Sequence, residues 1–322
     1  MLARGNYANE LNIPIPFSLV SINDQNNNLE IMVGYWFLYN MYALTRNSWK
    51  YANRDERIQK TQYIEYDYLA PDTVEEILQS MQLIETAVGN AYIRSIPTQE
   101  EASIVGKKLL EEANPIVDQL EIVLDGIEHS NRKTVLTKCL KGYQAFASML
   151  TYYGLQAFFE NCKVNTDSKV YNKWLNVGGQ LIPKDHVDQL RIDVVNDKLG
   201  SWDAIHQFYE EQGALYPSYK IAHGLHILEK IKKRSLSETT VAEKQILLDE
   251  YLHHEKIILE AITISRKKDY TSPFRKMMYD SEEEMNEVLG SFEDNSFILQ
   301  KKKDLLTLEN DIERLKLNFN LH

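Results

Sequence analysis

Arg46, Lys50, Arg54 and Arg57 are spaced by four, four and three residues, so a helix continuing through them would carry all four cations on one face. Lys60 follows. Trp36, Trp49 and seven of the 19 tyrosines (Tyr35, Tyr39, Tyr42, Tyr51, Tyr63, Tyr66, Tyr68) are interleaved with them. A cationic ridge beside aromatic rings suits a planar or phosphorylated ligand, because a guanidinium grips phosphate with two parallel hydrogen bonds and rings stack. Glu65 and Asp67, two apart around Tyr66, would lie on one side of an extended segment, where a carboxylate pair can do acid–base work. The same cations could instead neutralise Asp55, Glu65 and Asp67 inside the fold, and Arg54 and Arg57 are expected to pair with acids of this stretch. A surface dense in Tyr, Trp and Arg also suits a subunit or domain contact. One geometric fact separates these uses: whether Arg46, Arg54, Arg57, Glu65, Asp67 and His206 converge on one concave pocket.

Elsewhere the chemistry-bearing patterns are incomplete. Gly178-Gly179 is the one glycine pair, preceded by Asn176 and followed by a helix expected from Pro183. The plain reading is a helix cap and turn; the sharper one is an anion site at the helix N-terminus, with Asn176 among the ligand-binding candidates. His254-Glu255 opens like a zincin helix, but Ile258 stands where the second His is needed. Glu250 and His253 have the spacing of one di-iron ligand pair, and such a bundle needs two. His223 and His226 share a helix face without nominated further ligands. There is no GxxxxGK[ST] and no GxSxG. No metal and no cofactor is expected.

The elements that would position these groups are mostly helices. Apolar residues recur at three and four, as in Ile77, Met81, Ile84 and Val88, and again in Leu247, Tyr251, His254, Ile258 and Ile262. Start signals are Asp72 with Glu75, Thr98 with Glu101, Ser201, Thr240 with Glu243 and Ser281 with Glu284. The pattern predicts helices over about 30–53, 73–94, 99–112, 115–128, 132–161, 184–198, 202–212, 217–233, 240–269 and 295–316. Pro14 and Pro16 make the first 28 residues an extended or edge-strand arm, and 23–28 is a polar turn. The expected fold is mainly α, a multi-helix bundle with a short extended N-terminal arm. Its parts are an arm over 1–28, a helical domain over 29–272, and an acidic linker with a C-terminal helix over 273–322.

Composition bounds the function. The chain has 322 residues, 43% of them hydrophobic, and a formal net charge of −11. An acidic excess disfavours nucleic acid as partner. Cys139 and Cys162, without a CxxC, suit a reducing compartment rather than a disulfide scaffold. Leu29–Leu44, the most apolar run, is shorter than the roughly 20 residues that span a bilayer. With no signal-like start, the expected location is the cytoplasm, without membrane contact.

The stretches Leu2–Phe17, Gly34–Lys50, Ile64–Asp72 and Ser201–His206 resemble an uncharacterised bacterial family. In it a left-handed parallel β-helix half, similar to hexapeptide acyltransferases and nucleotide-sugar enzymes, precedes a long helical half. The resemblance covers the helical half, and no hexapeptide repeats are present here. It implies that residues 1–28 are closing strands of a β-helix not encoded in this chain, leaving an exposed edge. It further implies a β-helix half or a homologous chain as partner, and a homo-oligomer by analogy. The reading adopted is a helical accessory or oligomerisation domain without a complete catalytic site. The alternative is a self-contained ligand-binding or enzymatic domain that uses residues 35–68 on a phosphorylated or nucleotide-sugar-like ligand.

Overall fold

The polar turn at 23–28 folds the chain back on itself. β1 (Leu19–Ile22) therefore pairs antiparallel with β2 (Leu29–Met32), Leu19 opposite Met32 and Ile22 opposite Leu29. Asn27 takes the left-handed conformation that this turn requires (φ 58°), which asparagine tolerates better than most residues. A computed structural model describes residues 1–58, 62–166 and 168–319; Lys60 lies outside them. The chain divides into two compact units, one of residues 1–40 and 73–149, the other of residues 41–72 and 150–322.

In the first unit the sheet order is β1-β2-β4-β3, where β3 is Ile122–Leu124 and β4 is Thr134–Thr137. β4 runs parallel to β2, with Leu29 opposite Thr134, and antiparallel to β3. The N-terminal arm is tied to this same sheet. The Ala3 N–H donates to the Val20 carbonyl and the Val20 N–H to the Met1 carbonyl, both at 2.8 Å. Further on, the Asn12 N–H donates to Ile127 and the His129 N–H to Glu10. The expectation of an arm left as an exposed edge is corrected at Met1, Ala3, Glu10 and Asn12, whose backbone hydrogen bonds are met by the chain itself. α1 (Tyr35–Tyr39), most of α3 (Pro71–Ser95), α4 (Ala102–Glu111) and the start of α5 (Cys139–Val164) belong to this unit. Its core joins Leu29, Ile31 and Val33 to Ile77, Ile84 and Val88 of the predicted α3 stripe, all fully buried.

The second unit is helical, apart from one hairpin. It holds α2 (Met41–Arg54), the end of α5, β5 (Trp174–Val177) and β6 (Gln180–Pro183), then α6 (Lys184–Val195) and α7 (Trp202–Lys232). α8 (Val241–Thr271), α9 (Pro273–Lys276), α10 (Glu282–Leu289) and α11 (Ser296–Phe319) complete it. Leu247, Tyr251, Ile258 and Ile262 are buried, as their spacing predicts.

Several element readings need correction. Residues 115–128 and the start of 132–161 hold β3 and β4, because Ile122-Val123 and Thr134-Val135 are β-branched runs that a sheet partner captures. Residues 30–53 contain β2 and a break at Asn40 rather than one helix. Gly178 (φ 65°) and Gly179 (φ 100°) are the two central residues of the β5–β6 hairpin, not a helix cap. The segments 202–212 and 217–233 are one helix, with Pro217 inside α7.

Capping signals are mostly sound. Ser201 accepts from the Ala204 N–H and Ser281 from the Glu284 N–H, while Glu101 itself, rather than Thr98, precedes α4. Thr240 and Glu243 form a complete capping box on α8. The Thr240 N–H, then Arg234 and the Thr240 hydroxyl, hold the Glu243 carboxyl down at about 2, below its ordinary 4.5. A depressed pKa stabilises the fold above the ordinary value, and that contribution is lost as pH falls from about 4.5 to about 2. Melting temperature should therefore drop over this window, and Glu243→Gln should make that drop smaller.

Candidate functional site

Residues 62–70 form an irregular strap in the second unit, held at Glu65, Tyr66 and Asp67. The Glu65 N–H donates to the Gly179 carbonyl at 2.9 Å, and the Ser48 hydroxyl donates to the Tyr66 carbonyl at 2.9 Å. The hairpin turn and α2 thus each hold one point of the strap. α7 supplies the charges: the Lys220 ammonium lies 2.8 Å from Glu65 Oε2 and 2.7 Å from Asp67 Oδ2. The Tyr216 hydroxyl, one turn earlier on α7, also donates to Glu65 Oε2, and the Asp67 N–H donates to Glu65 Oε1. Both Glu65 oxygens are therefore occupied, and its side chain is only 10% exposed.

This electrostatic arrangement fixes protons rather than moving them. Burial alone would lower the Lys220 pKa; the adjacent charges of Asp67 and Glu65 outweigh that and hold it above the usual lysine value. Lys220 stays an ammonium ion and is not a nucleophilic amine. Burial, then the Glu65 charge, pushes the Tyr216 hydroxyl upward, so it stays a donor.

Beside the strap opens a cleft of about 250 Å³. Its aromatic lining is Trp49 from α2, Tyr66 and Tyr68 from the strap, and Tyr152 from α5. Its polar lining includes Ser48, Asp67, Gln156, Lys301 and Asp304. The aromatics are braced from behind: Trp49 packs on Phe297 with ring centroids 5.4 Å apart, and Tyr66 on Tyr51 at 4.8 Å. The Tyr152 hydroxyl donates to Glu255 at 2.7 Å, and Tyr251 donates to the same carboxylate at 3.2 Å. Gln156 is different, since its carboxamide makes no hydrogen bond among the described residues.

Of the residues singled out by sequence, Glu65 and Asp67 come together at one place, and Asp67 lines the cleft. The others do not converge there. Arg57 is gripped by Asp55 through Nε (2.7 Å) and Nη2 (2.9 Å), and donates through Nη1 to Gln62, so its expected pairing holds. Arg54 is exposed and makes no ion pair among the described residues. Arg46 sits 5.9 Å from the Tyr42 ring centroid, and Arg266 is 5.1 Å from that same centroid. His206 is exposed near the start of α7. Asn176 accepts the Gly179 N–H at 2.8 Å and shapes the hairpin turn, which leaves no helix N-terminus for an anion behind a Gly-Gly loop. None of Arg46, Lys50, Arg54 and Arg57 lines the cleft, so the cationic ridge does not supply a phosphate grip there.

Lys220, Tyr216, Gln156, Lys301 and Asp304 were not legible as site residues. They lie 150 or more positions from Glu65, or on helices whose sequence reports only amphipathicity. Two histidines are engaged within the fold: fully buried His223 meets the Tyr153 hydroxyl at 3.1 Å, and His186 bridges Tyr171 and Gln212. Among the described residues no group of three His, Cys, Asp or Glu side chains is placed to hold a metal ion. No helix among them is long and apolar enough to cross a membrane. Both thiols are unpaired; burial pushes Cys139 up to about 12 and Cys162 up to about 11. Neither should react with iodoacetamide at pH 7.5 at the rate of free cysteine, and half-buried Cys162 should label before Cys139. Mass spectrometry of a labelling time course reads both.

Residues 159–315 match the family described as Domain of unknown function (DUF6819), a stretch inside the second unit. An "Uncharacterized protein" of Treponema pallidum (strain Nichols) is 35% identical over 307 residues, covering 91% of this chain and 41% of its own length. The chain thus spans about two fifths of that relative. No solved structure matches it.

Proposed function

We propose that this chain is a non-catalytic, ligand-binding helical module whose cleft takes one small hydroxyl-bearing ring, a monosaccharide or a group of similar size. The observation that carries the reading is the cleft lining: Trp49, Tyr66, Tyr68 and Tyr152 around a space edged by Gln156, Ser48, Asp67 and Asp304. Aromatic faces cover the apolar face of a ring, while carboxylates and a carboxamide accept and donate to its hydroxyls. The volume lies below the roughly 300–1,000 Å³ of drug-sized sites, which favours a single ring over a nucleotide sugar. The neighbouring charges are already spent on one another, as in Glu65 with Lys220 and Tyr216, so the strap serves as a wall rather than as an acid–base pair. In the test, methyl β-D-glucopyranoside and its N-acetylglucosamine counterpart are titrated into the full chain and tryptophan fluorescence is followed. Saturable binding to wild type, weakened at least tenfold in Trp49→Ala, is expected; no saturable response to either glycoside contradicts the reading.

A second reading, a helical accessory module of a larger protein, is favoured by the length of the Treponema relative, more than half of which lies outside the match. The two readings are compatible. A β-helix partner and a homo-oligomer rest on the resemblance alone, and Met1, Ala3, Glu10 and Asn12 of the N-terminal arm are already hydrogen-bonded within this chain. Light scattering on the purified chain tests self-association directly, with a mass above that of one chain expected for an oligomerisation domain.

A further inference from the structure

A second cavity adjoins the aromatic cleft. It is a groove of about 280 Å³ lined by Tyr153 and Ala157 of α5 and by Pro217 and Ile221 of α7, with Gln156, Glu160 and Lys220 completing it. Its lining contrasts with that of the cleft: one ring face, a proline, two aliphatic side chains, and charged groups only on long stems that can turn their heads to water.

Two features join the cavities. Gln156 lines both, because Tyr152 and Gln156 stand one turn apart on the cleft side of α5 while Tyr153, Gln156 and Ala157 follow the groove. Asp67 lines the cleft and Lys220 the groove, and their side chains meet at 2.7 Å. One carboxamide without a partner among the described residues and one fixed ion pair therefore mark the junction.

We infer that cleft and groove together take one amphiphilic ligand, a hydroxyl-bearing ring in the cleft joined by an oxygen linkage at Gln156 to a linear apolar tail along Tyr153, Pro217 and Ile221. This rests on the cleft reading and names its ligand class. The carboxamide NH₂ of Gln156 donates to the linking oxygen, and its carbonyl accepts from a neighbouring hydroxyl. The tail covers apolar surface that water otherwise wets, and each methylene so buried tightens binding.

The probes are methyl β-D-glucopyranoside and n-octyl β-D-glucopyranoside, the latter held below its micelle concentration, titrated into the full chain by tryptophan fluorescence and calorimetry. The octyl glycoside should bind at least tenfold more tightly than the methyl glycoside. Ile221→Ser should erase that gain and leave the methyl affinity unchanged; Ile221→Trp, which fills the groove rather than emptying it, should do the same. If methyl and octyl glycosides bind equally, the tail site is wrong while the cleft stands. A gain that survives both Ile221 substitutions also overturns the tail site, because the alkyl chain then lies elsewhere. Binding of neither glycoside overturns both.

Discussion

Lys220→Met should destabilise the protein by about 2–4 kcal/mol, near the lower part of the range for breaking a buried ion pair, because Lys220 retains partial exposure. Most of that cost is the penalty on what remains. Glu65, 10% exposed, would be left with only the Tyr216 hydroxyl and the Asp67 N–H as partners. Asp67, two residues away, would then repel it without a cation between them. Replacing Lys220 and the buried Glu65 together leaves only the half-exposed Asp67 without its cation, so Glu65→Gln combined with Lys220→Met should recover part of the loss. Urea unfolding followed by helical circular dichroism measures both. Glycoside affinity should fall in Lys220→Met even well below the unfolding midpoint, because the strap that carries Tyr66, Asp67 and Tyr68 loses its tie to α7. A Lys220→Met variant as stable as wild type would show that the Lys220 ion pairs with Glu65 and Asp67 contribute nothing.

Gly106→Ala should be at least as damaging, at about 3 kcal/mol or more, the upper end for forcing volume into a packed core. A β-carbon at Gly106 would lie 1.8 Å from the Glu85 carbonyl oxygen, and one at Gly89 would lie 1.7 Å from the Ala102 carbonyl oxygen. Both obstacles are backbone of the facing helix, which cannot swing aside as a side-chain tip can. α3 and α4 meet here with their backbones in near contact, and any side chain at either position must push them apart. Gly200 is the control, since a β-carbon there meets nothing closer than 3.8 Å. Gly200→Ala should leave the urea midpoint nearly unchanged, while Gly106→Ala and Gly89→Ala lower it strongly. Equal midpoints for all three would refute the close approach of these helices.

How much of this was legible depends on how local the signal is. The stripe of Leu247, Tyr251, Ile258 and Ile262 and the Thr240–Glu243 box are properties of one helix, and both appear where their spacing puts them. Arg57 finds Asp55 two residues away, again a local event. β3 and β4 are three and four residues long, too short to interrupt a helical periodicity, and they exist because β2 is in reach to pair with β4. Gly178-Gly179 fits a helix cap and a hairpin equally well until β6 finds β5. Pro217 removes one hydrogen bond, yet α7 continues because Gln212, Gly213, Tyr219 and Ala222 are buried on both sides of it. The site followed the same rule. Glu65 and Asp67 were visible as a pair, but their partner Lys220 lies 155 and 153 residues away and carries no mark in the sequence that sets it apart. The arginines drew attention by their spacing, which reports a helix face and not what that face meets.

The cleft is tested most directly by the indole resonances of the four tryptophans, Trp36, Trp49, Trp174 and Trp202. In a ¹H–¹⁵N correlation spectrum, the Trp49 indole signal is the one lost in Trp49→Phe. On titration with methyl β-D-glucopyranoside that signal should shift saturably, while the signal of Trp202, 76% exposed and outside the cleft lining, should stay in place. A Trp49 resonance that does not move at saturating glycoside, or four indoles that drift together in proportion to concentration, would contradict a ring-binding cleft.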